Sequence, residues 1–477
     1  MKPGPAYTTR KNPRKARALL PGMALILCLA LLLAGQGRAN ETAGGPEQAG
    51  STRLRMDDLE ALRLADALLS SGRVSEAGQI YSLLLDSPAQ EVRIEAIFQI
   101  GNIHMLLEEP GKAVACYISI LNSHPELARV RLELARAYFA DEDYEKADFH
   151  FRLVLGDSGI PAEVAEKINL FLTVIRRHKN WSLSGNVGLA PDSNLNQASG
   201  EERECIRTVF GLFCRDLPEK ESGLGFKAAL HGTHYLRLSK SFGIKSDAGI
   251  SVLDFKESAY DDNRFTLASG PRVVFPGGEA SLQPTFTTRW VGGGDYSKSW
   301  GARLNLSFDP AERLGVDTGI SFEFNRYDDP LVNSLLKGHT TDAWLDLSYV
   351  LSNKSMITAG ANLTRDRTKA QSFASDGWGC SVGYYREFPL AFTAYAELRY
   401  NRVIYREETW FIRKDGFIED KTRKDRLYQG YLRLANRRWE ASGLTPSITY
   451  IYTKRDSNAW NYEYSKHRFE FGIRQSF

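Results

Sequence analysis

Methionine and cysteine are scarce in this chain of 477 residues, five of each, and its eight histidines lie scattered without the spacing of a metal-ligand set. No Walker A loop and no His-Glu-x-x-His pair occurs, so phosphate-loop and zinc-protease chemistry have no foothold. No apolar run exceeds the twelve residues from Met23 to Ala34, too few to cross a bilayer comfortably as a helix. Acidic residues are absent before position 40, where Lys2, Arg10, Lys11, Arg14, Lys15, Arg17 and Arg38 stand. Without those seven cations the formal charge falls from +3 to −4. The basic balance therefore belongs to the first segment and implies no nucleic-acid partner.

What is present begins with a secretory signal over 1–39: a basic stretch, the apolar run, and the small-x-small end Gly37-Arg38-Ala39, which predicts cleavage before Asn40. Leu27 is bulky where a lipidation site at Cys28 would need a small residue. A linker over 40–56 follows, small and polar through Asn40–Thr52. Four cysteines remain after export, and Cys205 and Cys214 are close enough in sequence to pair in an oxidising compartment. Cys116 and Cys380 are expected as buried thiols.

The composition changes near Asn180: all eight tryptophans lie at or beyond Trp181. Over 57–179 the apolar spacing is helical, with a repeat of 34 to 36 residues. Leu64-Ala65, Ile100-Gly101 and Leu134-Ala135 each precede an alanine (Ala77, Ala113, Ala147), followed by an aromatic (Tyr81, Tyr117, Phe151) and an aliphatic (Leu84, Ile120, Val154). Small residues let paired helices approach, and the aromatics fill the gap to the next repeat. The pattern resembles the tetratricopeptide repeat, in three copies plus a final helix near Val164–His178. Such a periplasmic solenoid lines its concave side with the first helix of each repeat. The register places Asp66, Asn102, Met105, Arg129, Arg136 and Phe139 there as a client-binding groove. Repeats that merely brace the neighbouring domain are the alternative.

Over 180–477 the period changes to two. Fourteen segments of alternating apolar residues run from Trp181/Leu183/Val187/Leu189 to Phe469/Phe471/Ile473/Phe477. Apolar-out, polar-in alternation with aromatic ends is what a transmembrane barrel requires, because only a closed sheet satisfies every backbone group in lipid. The connections alternate long and short, from Ala190–Glu221 then Ser239–Ser241 to Tyr405–Arg423 then Ala435–Leu444. Short periplasmic turns and longer outer loops put the helical domain in the periplasm and the barrel in the cell outer membrane. Phe477 becomes the terminal aromatic that serves as the barrel's C-terminal signal. The expected fold is thus an N-terminal α-helical tetratricopeptide solenoid followed by a 14-stranded antiparallel transmembrane β-barrel.

Inside the barrel the registers place Lys227, Lys245, Arg303, Arg399, Arg433, Arg468 and Arg474 against Asp247, Asp317, Glu323, Asp342, Asp346, Glu397 and Glu470. This balance does not suit a pore for ions of one sign, and the charges are expected mostly to pair across strands. Gly379-Cys380-Ser381-Val382-Gly383 fits a nucleophile elbow, but the alternation runs straight through it and no helix follows, so Ser381 reads as a lumen hydroxyl. No catalytic, metal or cofactor site is expected. The long first outer loop opens with Asp192, Ser193, Asn194 and Asn196, whose side chains can bond their own backbone in a compact turn. An inward plug, an outward lid and an ordinary mobile loop remain open readings for the rest.

With this domain order, barrel length, and the barrel start Asn180-Trp181 followed by Asp192-Ser193-Asn194-x-Asn196, the mature chain resembles the surface lipoprotein assembly modulators, the Slam family. The resemblance implies an outer-membrane translocon, not an enzyme, that moves a client from periplasm to cell surface. The client would be a lipid-anchored protein or a soluble haem- or metal-acquisition or host-interaction protein. It further implies periplasmic chaperones, the barrel-assembly machinery and outer-membrane lipid as partners, with no nucleic acid. An exopolysaccharide export porin with a tetratricopeptide periplasmic domain, a passive porin and a structural adhesin are the alternatives.

Overall fold

A computed structural model describes residues 57–440 and 444–475; the signal segment, the linker and Phe477 lie outside them. Seven helices come first: α1 (Asp58–Ser70), α2 (Val74–Leu83), α3 (Gln90–Leu106), α4 (Pro110–Ser123), α5 (Ala128–Ala140), α6 (Tyr144–Leu155) and α7 (Ala162–His178). The small residues of the repeat sit where helices touch. Ala65, Ala77, Ala113, Ala135 and Ala147 are wholly buried together with Tyr81, Tyr117 and Phe151. At Gly101 a Cβ would lie 2.6 Å from the Tyr117 ring, so glycine there is a packing requirement.

The turn inside each pair carries one left-handed residue at equivalent positions: Gly72 (φ 82°), Glu108 (φ 58°) and Glu142 (φ 60°). Only the first repeat uses the residue that adopts this conformation without steric cost.

From Trp181 the chain forms β1 (Trp181–Asp192), a small hairpin β2 (Arg203–Thr208) and β3 (Gly211–Asp216), then β4 (Gly223–Arg237), β5 (Phe242–Phe255), β6 (Asp262–Phe275), β7 (Gly278–Val291), β8 (Gly294–Ala311) and β9 (Leu314–Tyr327). After a short helix α8 (Pro330–Leu336) come β10 (Gly338–Ser352), β11 (Ser355–Thr368), β12 (Ser375–Glu387), β13 (Phe392–Ile412), β14 (Ile418–Asn436), β15 (Leu444–Ser457) and β16 (Tyr464–Gln475). All but β2 and β3 close into one antiparallel barrel of fourteen strands, with β1 bonded to both β4 and β16.

The outer face carries the apolar rows: Leu183, Val187 and Leu189 on β1, Trp300 and Leu304 on β8, and Phe469, Phe471 and Ile473 on β16 are all exposed. Lipid is what covers such a belt. Cys380 stands in the same belt and is exposed, not buried as expected, because it shares the outward parity of Trp378 and Val382. Cys116 is half-buried.

Several outer connections are shorter than the sequence suggested because the strands continue past the apolar belt. The link between β7 and β8 shrinks to Gly292-Gly293, and β13 and β14 stay paired out to Ile412 and Ile418. Beyond the bilayer neither face needs to be apolar, so the alternation ends while the backbone ladder does not.

Replacing the left-handed glutamates tests the helical half. Glu108→Gly and Glu142→Gly should each raise its unfolding free energy by up to about 1 kcal/mol, measured by thermal denaturation.

Candidate functional site

The helical domain is seated on the short-turn end of the barrel. Arg131 of α5 is wholly buried; its Nη2 lies 2.8 Å from Glu387 Oε2 at the end of β12, and it also donates to the Pro125 carbonyl at 2.9 Å. Arg437, after β14, approaches the same carboxylate with Nη1 and Nη2 at 3.1 and 3.0 Å, and the Tyr385 hydroxyl donates to it at 3.1 Å. One carboxylate thus binds two guanidinium groups and a phenol out of contact with water, where removing either sign leaves an uncompensated buried charge.

His150 of α6 completes the cluster. Its Nδ1 is 3.2 Å from Arg131 Nη1, and because a guanidinium only donates, Nδ1 must accept. Burial pushes the His150 imidazole well below its ordinary value, and the adjacent Arg131 charge pushes it the same way. Lys146 and Arg437 act likewise, while Glu387 opposes them. The Phe149 ring meets Tyr385 edge-on at 5.7 Å, and the Tyr138 ring stacks on His150 at 5.6 Å.

A second anchor forms where Arg152 and Arg176 both bind Asp309, the former at 2.7 Å. Backbone contacts tie the remaining turns: Ala391 N donates to the Asn122 carbonyl at 2.8 Å, Arg313 to the Asp157 carbonyl at 3.2 Å, and Arg272 to the Arg176 carbonyl at 2.8 Å. Gly156 at the end of α6 lies against Ser352 and Val350 so closely that a Cβ would come within 2.6 Å of both.

Arg152 also lines a lumen cavity of about 450 Å³ with Asp317, Asp346, Ser381, Glu397 and Arg399, so α6 reaches the barrel's mouth. Ser381 is a lumen hydroxyl on an unbroken strand. Two lumen pairs cross strands, Arg303 with Asp247 at 3.0 Å and Lys227 with Glu470 at 2.6 Å, while Arg399 pairs with Glu397 along β13 at 2.7 Å. Asp247 further accepts from Thr233 and Gln283, each at 2.6 Å.

The six groove residues divide by what they touch. Asp66 accepts from the buried Tyr81 hydroxyl, and Asn102 from the Tyr117 hydroxyl at 2.7 Å, at corresponding places in the first two repeats. Met105 and Phe139 pack against the helical core, Phe139 with its ring 5.0 Å from Phe171. Arg129 and Arg136 keep about 68% and 53% of their side chains exposed, Arg129 lying over the Phe98 ring and Arg136 beside Glu133.

The opening loop of the barrel folds as a compact turn that ties β1 to β16. Asp192 binds Lys466 at 3.0 Å and Arg468 at 2.9 Å, while Ser193 exchanges bonds with the His467 backbone. Asn194, wholly buried, accepts from Ala198 N and donates to the Ala198 and Ser465 carbonyls. Asn196 donates to the Glu219 carbonyl at 2.6 Å. Farther out, a disulfide joins Cys205 to Cys214 across β2 and β3, and Arg207 N donates to Gly416 O at 2.8 Å, binding this hairpin to the β13–β14 tip.

The sequence offered no sign of the Arg131–Glu387–Arg437 cluster. Its members lie up to 306 positions apart, and a lone arginine in an amphipathic helix reads as surface. Among the described residues no group of acidic, histidine and cysteine side chains could hold a metal ion.

A helical domain sealed against the periplasmic end of a polar-lined barrel defines an outer-membrane protein that handles material crossing that membrane. Residues 181–477 match the family model of the surface lipoprotein assembly modifiers. Surface lipoprotein assembly modifier 1 of Haemophilus influenzae is 25% identical over 76% of this chain and 74% of its own length. The Pasteurella multocida surface lipoprotein assembly modifier is 23% identical over 77% and 73%. The hemophilin secretion modulator of Acinetobacter baumannii is 22% identical over 75% and 74%. The chain belongs to the surface lipoprotein assembly modifier family; it is an outer-membrane translocon that delivers client proteins to the cell surface.

Two tests address the seating. Glu387→Ala leaves two buried guanidinium groups and should weaken attachment of the helical domain by about 3–5 kcal/mol, read as faster release by limited proteolysis. The His150 pKa is lowered in the seated state. Its contribution is therefore complete above the ordinary value of about 6.5 and shrinks as pH falls below it. Release should accelerate between about pH 7 and pH 5, and His150→Asn, which keeps an acceptor but does not titrate, should flatten that dependence.

Proposed function

We propose that the client is a lipid-anchored protein, received on the helical domain and passed to the barrel mouth that this domain covers. The observation that carries the reading is the buried attachment of α5 and α6 to the periplasmic turns, with Arg152 reaching into the lumen cavity. A receptor so placed hands its cargo over without diffusion. Arg129 and Arg136 are the groove positions with side chains left to offer, and they favour an acidic segment of the client.

Translocation of this kind forms no covalent intermediate, so the protein acts without catalysis. The periplasm supplies no ATP, and folding of the client outside draws transport forward. Periplasmic chaperones keep the client unfolded, and the barrel-assembly machinery inserts this protein into outer-membrane lipid. A client secreted from the cell is the second reading, favoured by the name of the Acinetobacter relative, a hemophilin secretion modulator.

The experiment compares surface proteins of cells with and without this chain. A lipoprotein that leaves the surface and accumulates in the periplasm is the client; loss of soluble secreted proteins alone would select the second reading. In cells matched for barrel abundance, Arg129→Ala with Arg136→Ala should lower client display severalfold, since truncating one interface side chain commonly costs about 1 kcal/mol or less and only a few central anchors cost about 2 or more. Unchanged display would remove the groove as the capture surface.

A further inference from the structure

The barrel wall is not uniform. From Asn186 to Asp192, β1 pairs with β4 at every residue, but among the described residues it pairs with β16 only at Asn186–Leu189 and again at Asp192. The gap has a covalent cause. Ser193 N donates to His467 O on β16, and in an antiparallel ladder every second N–H points to the same neighbour. Position 191 therefore faces β16, and it is Pro191, which has no N–H to give.

Next to the gap, within the paired stretch, no side chains interlock the strands where Gly188 faces Gly472. A Cβ at either would come within 2.4 Å of the opposite backbone. Behind the glycines is a cavity of about 270 Å³, lined from both strands and by Lys227, Arg433, Glu470 and Arg474. Asn186, on its wall, has a buried Oδ1 without a partner among the described residues. At the outer rim the seam is fastened by Asp192 to Lys466 and Arg468, and by Asn194 to Ser465.

We propose that the β1–β16 seam opens as a lateral slit through which the acyl chains of the client pass along the membrane while its polypeptide occupies the lumen. The inference rests on the reading of the client as a lipoprotein. Acyl chains gain nothing from a lumen walled by ion pairs, and their natural path is the surrounding lipid. A chain held inside and an anchor held outside require an opening down the wall. The Asp192 clasp is the last contact to part when the client leaves.

The test locks the slit in the full-length protein, with Cys116→Ser and Cys380→Ser removing the free thiols. Val187→Cys with Ile473→Cys spans the seam at paired positions, and Leu189→Cys with Phe471→Cys supplies a second lock should the first misfold. Leu345→Cys with Ala361→Cys forms a control bond between β10 and β11. The probes are the lipoprotein found by the surface comparison above and its unlipidated variant, which lacks the modified cysteine. With the seam bonded, surface display of the lipoprotein should fall at least tenfold and return on reduction, while release of the unlipidated form into the medium stays within twofold. The control bond should change neither. Undiminished display of the lipoprotein through a bonded seam overturns the slit, and so does equal loss of both forms. If the unbonded protein neither displays the lipoprotein nor releases the unlipidated form, the translocation reading itself has failed.

Discussion

In hydrocarbon every peptide N–H and C=O must find a partner within the protein, and the rest of this molecule is arranged around that demand. It forces the last strand back to the first, so that β1 and β16 each bond one sequence neighbour and one strand from the far end of the barrel. It also explains why one imino acid matters. In a water-soluble sheet Pro191 would merely mark an edge; in a closed wall it thins the ladder at the junction the closure depends on. The clasp of Asp192, Asn194, Lys466 and Arg468 reinforces that junction from the aqueous side, where charges cost least to place.

The helical domain imposes an asymmetry on the wall. Its contacts fall on the strand ends and turns from β6 to β14, through Arg272, Asp309, Arg313, Asn353, Glu387, Ala391 and Arg437. That arc is splinted from below.

Period two and period 3.6 were legible because water and lipid sort side chains by polarity along each element. The repeat positions Ala77, Ala113 and Ala147 and the outward rows of β1 and β16 follow from that sorting alone. Where sorting stops, the sequence falls silent. The outer extensions of β13 and β14 carry no regular apolar alternation to reveal them, α8 is about two turns long, and every residue of β3 is exposed. The cluster around Glu387 was illegible for a different reason: a buried ion pair looks, in each half of the sequence, like an ordinary surface charge. The oxygens of Asp66 and Asn102 are bonded to Tyr81 and Tyr117, a partnership only the packed repeats create.

The bonded hairpin of the first outer loop bears on the order of biogenesis. Cys205 and Cys214 are joined in a segment that ends up outside the cell, whereas thiol oxidation in such bacteria is catalysed in the periplasm. The bond is therefore made before the loop reaches its destination, and what crosses the bilayer with β1 and β4 is a closed ring bearing the exposed side chains of Val209, Phe210 and Phe213, not a thread. Insertion of the first barrel hairpin must accommodate the girth of that ring, which makes this step, more than the threading of the later and slimmer loops, the natural bottleneck in the protein's own assembly.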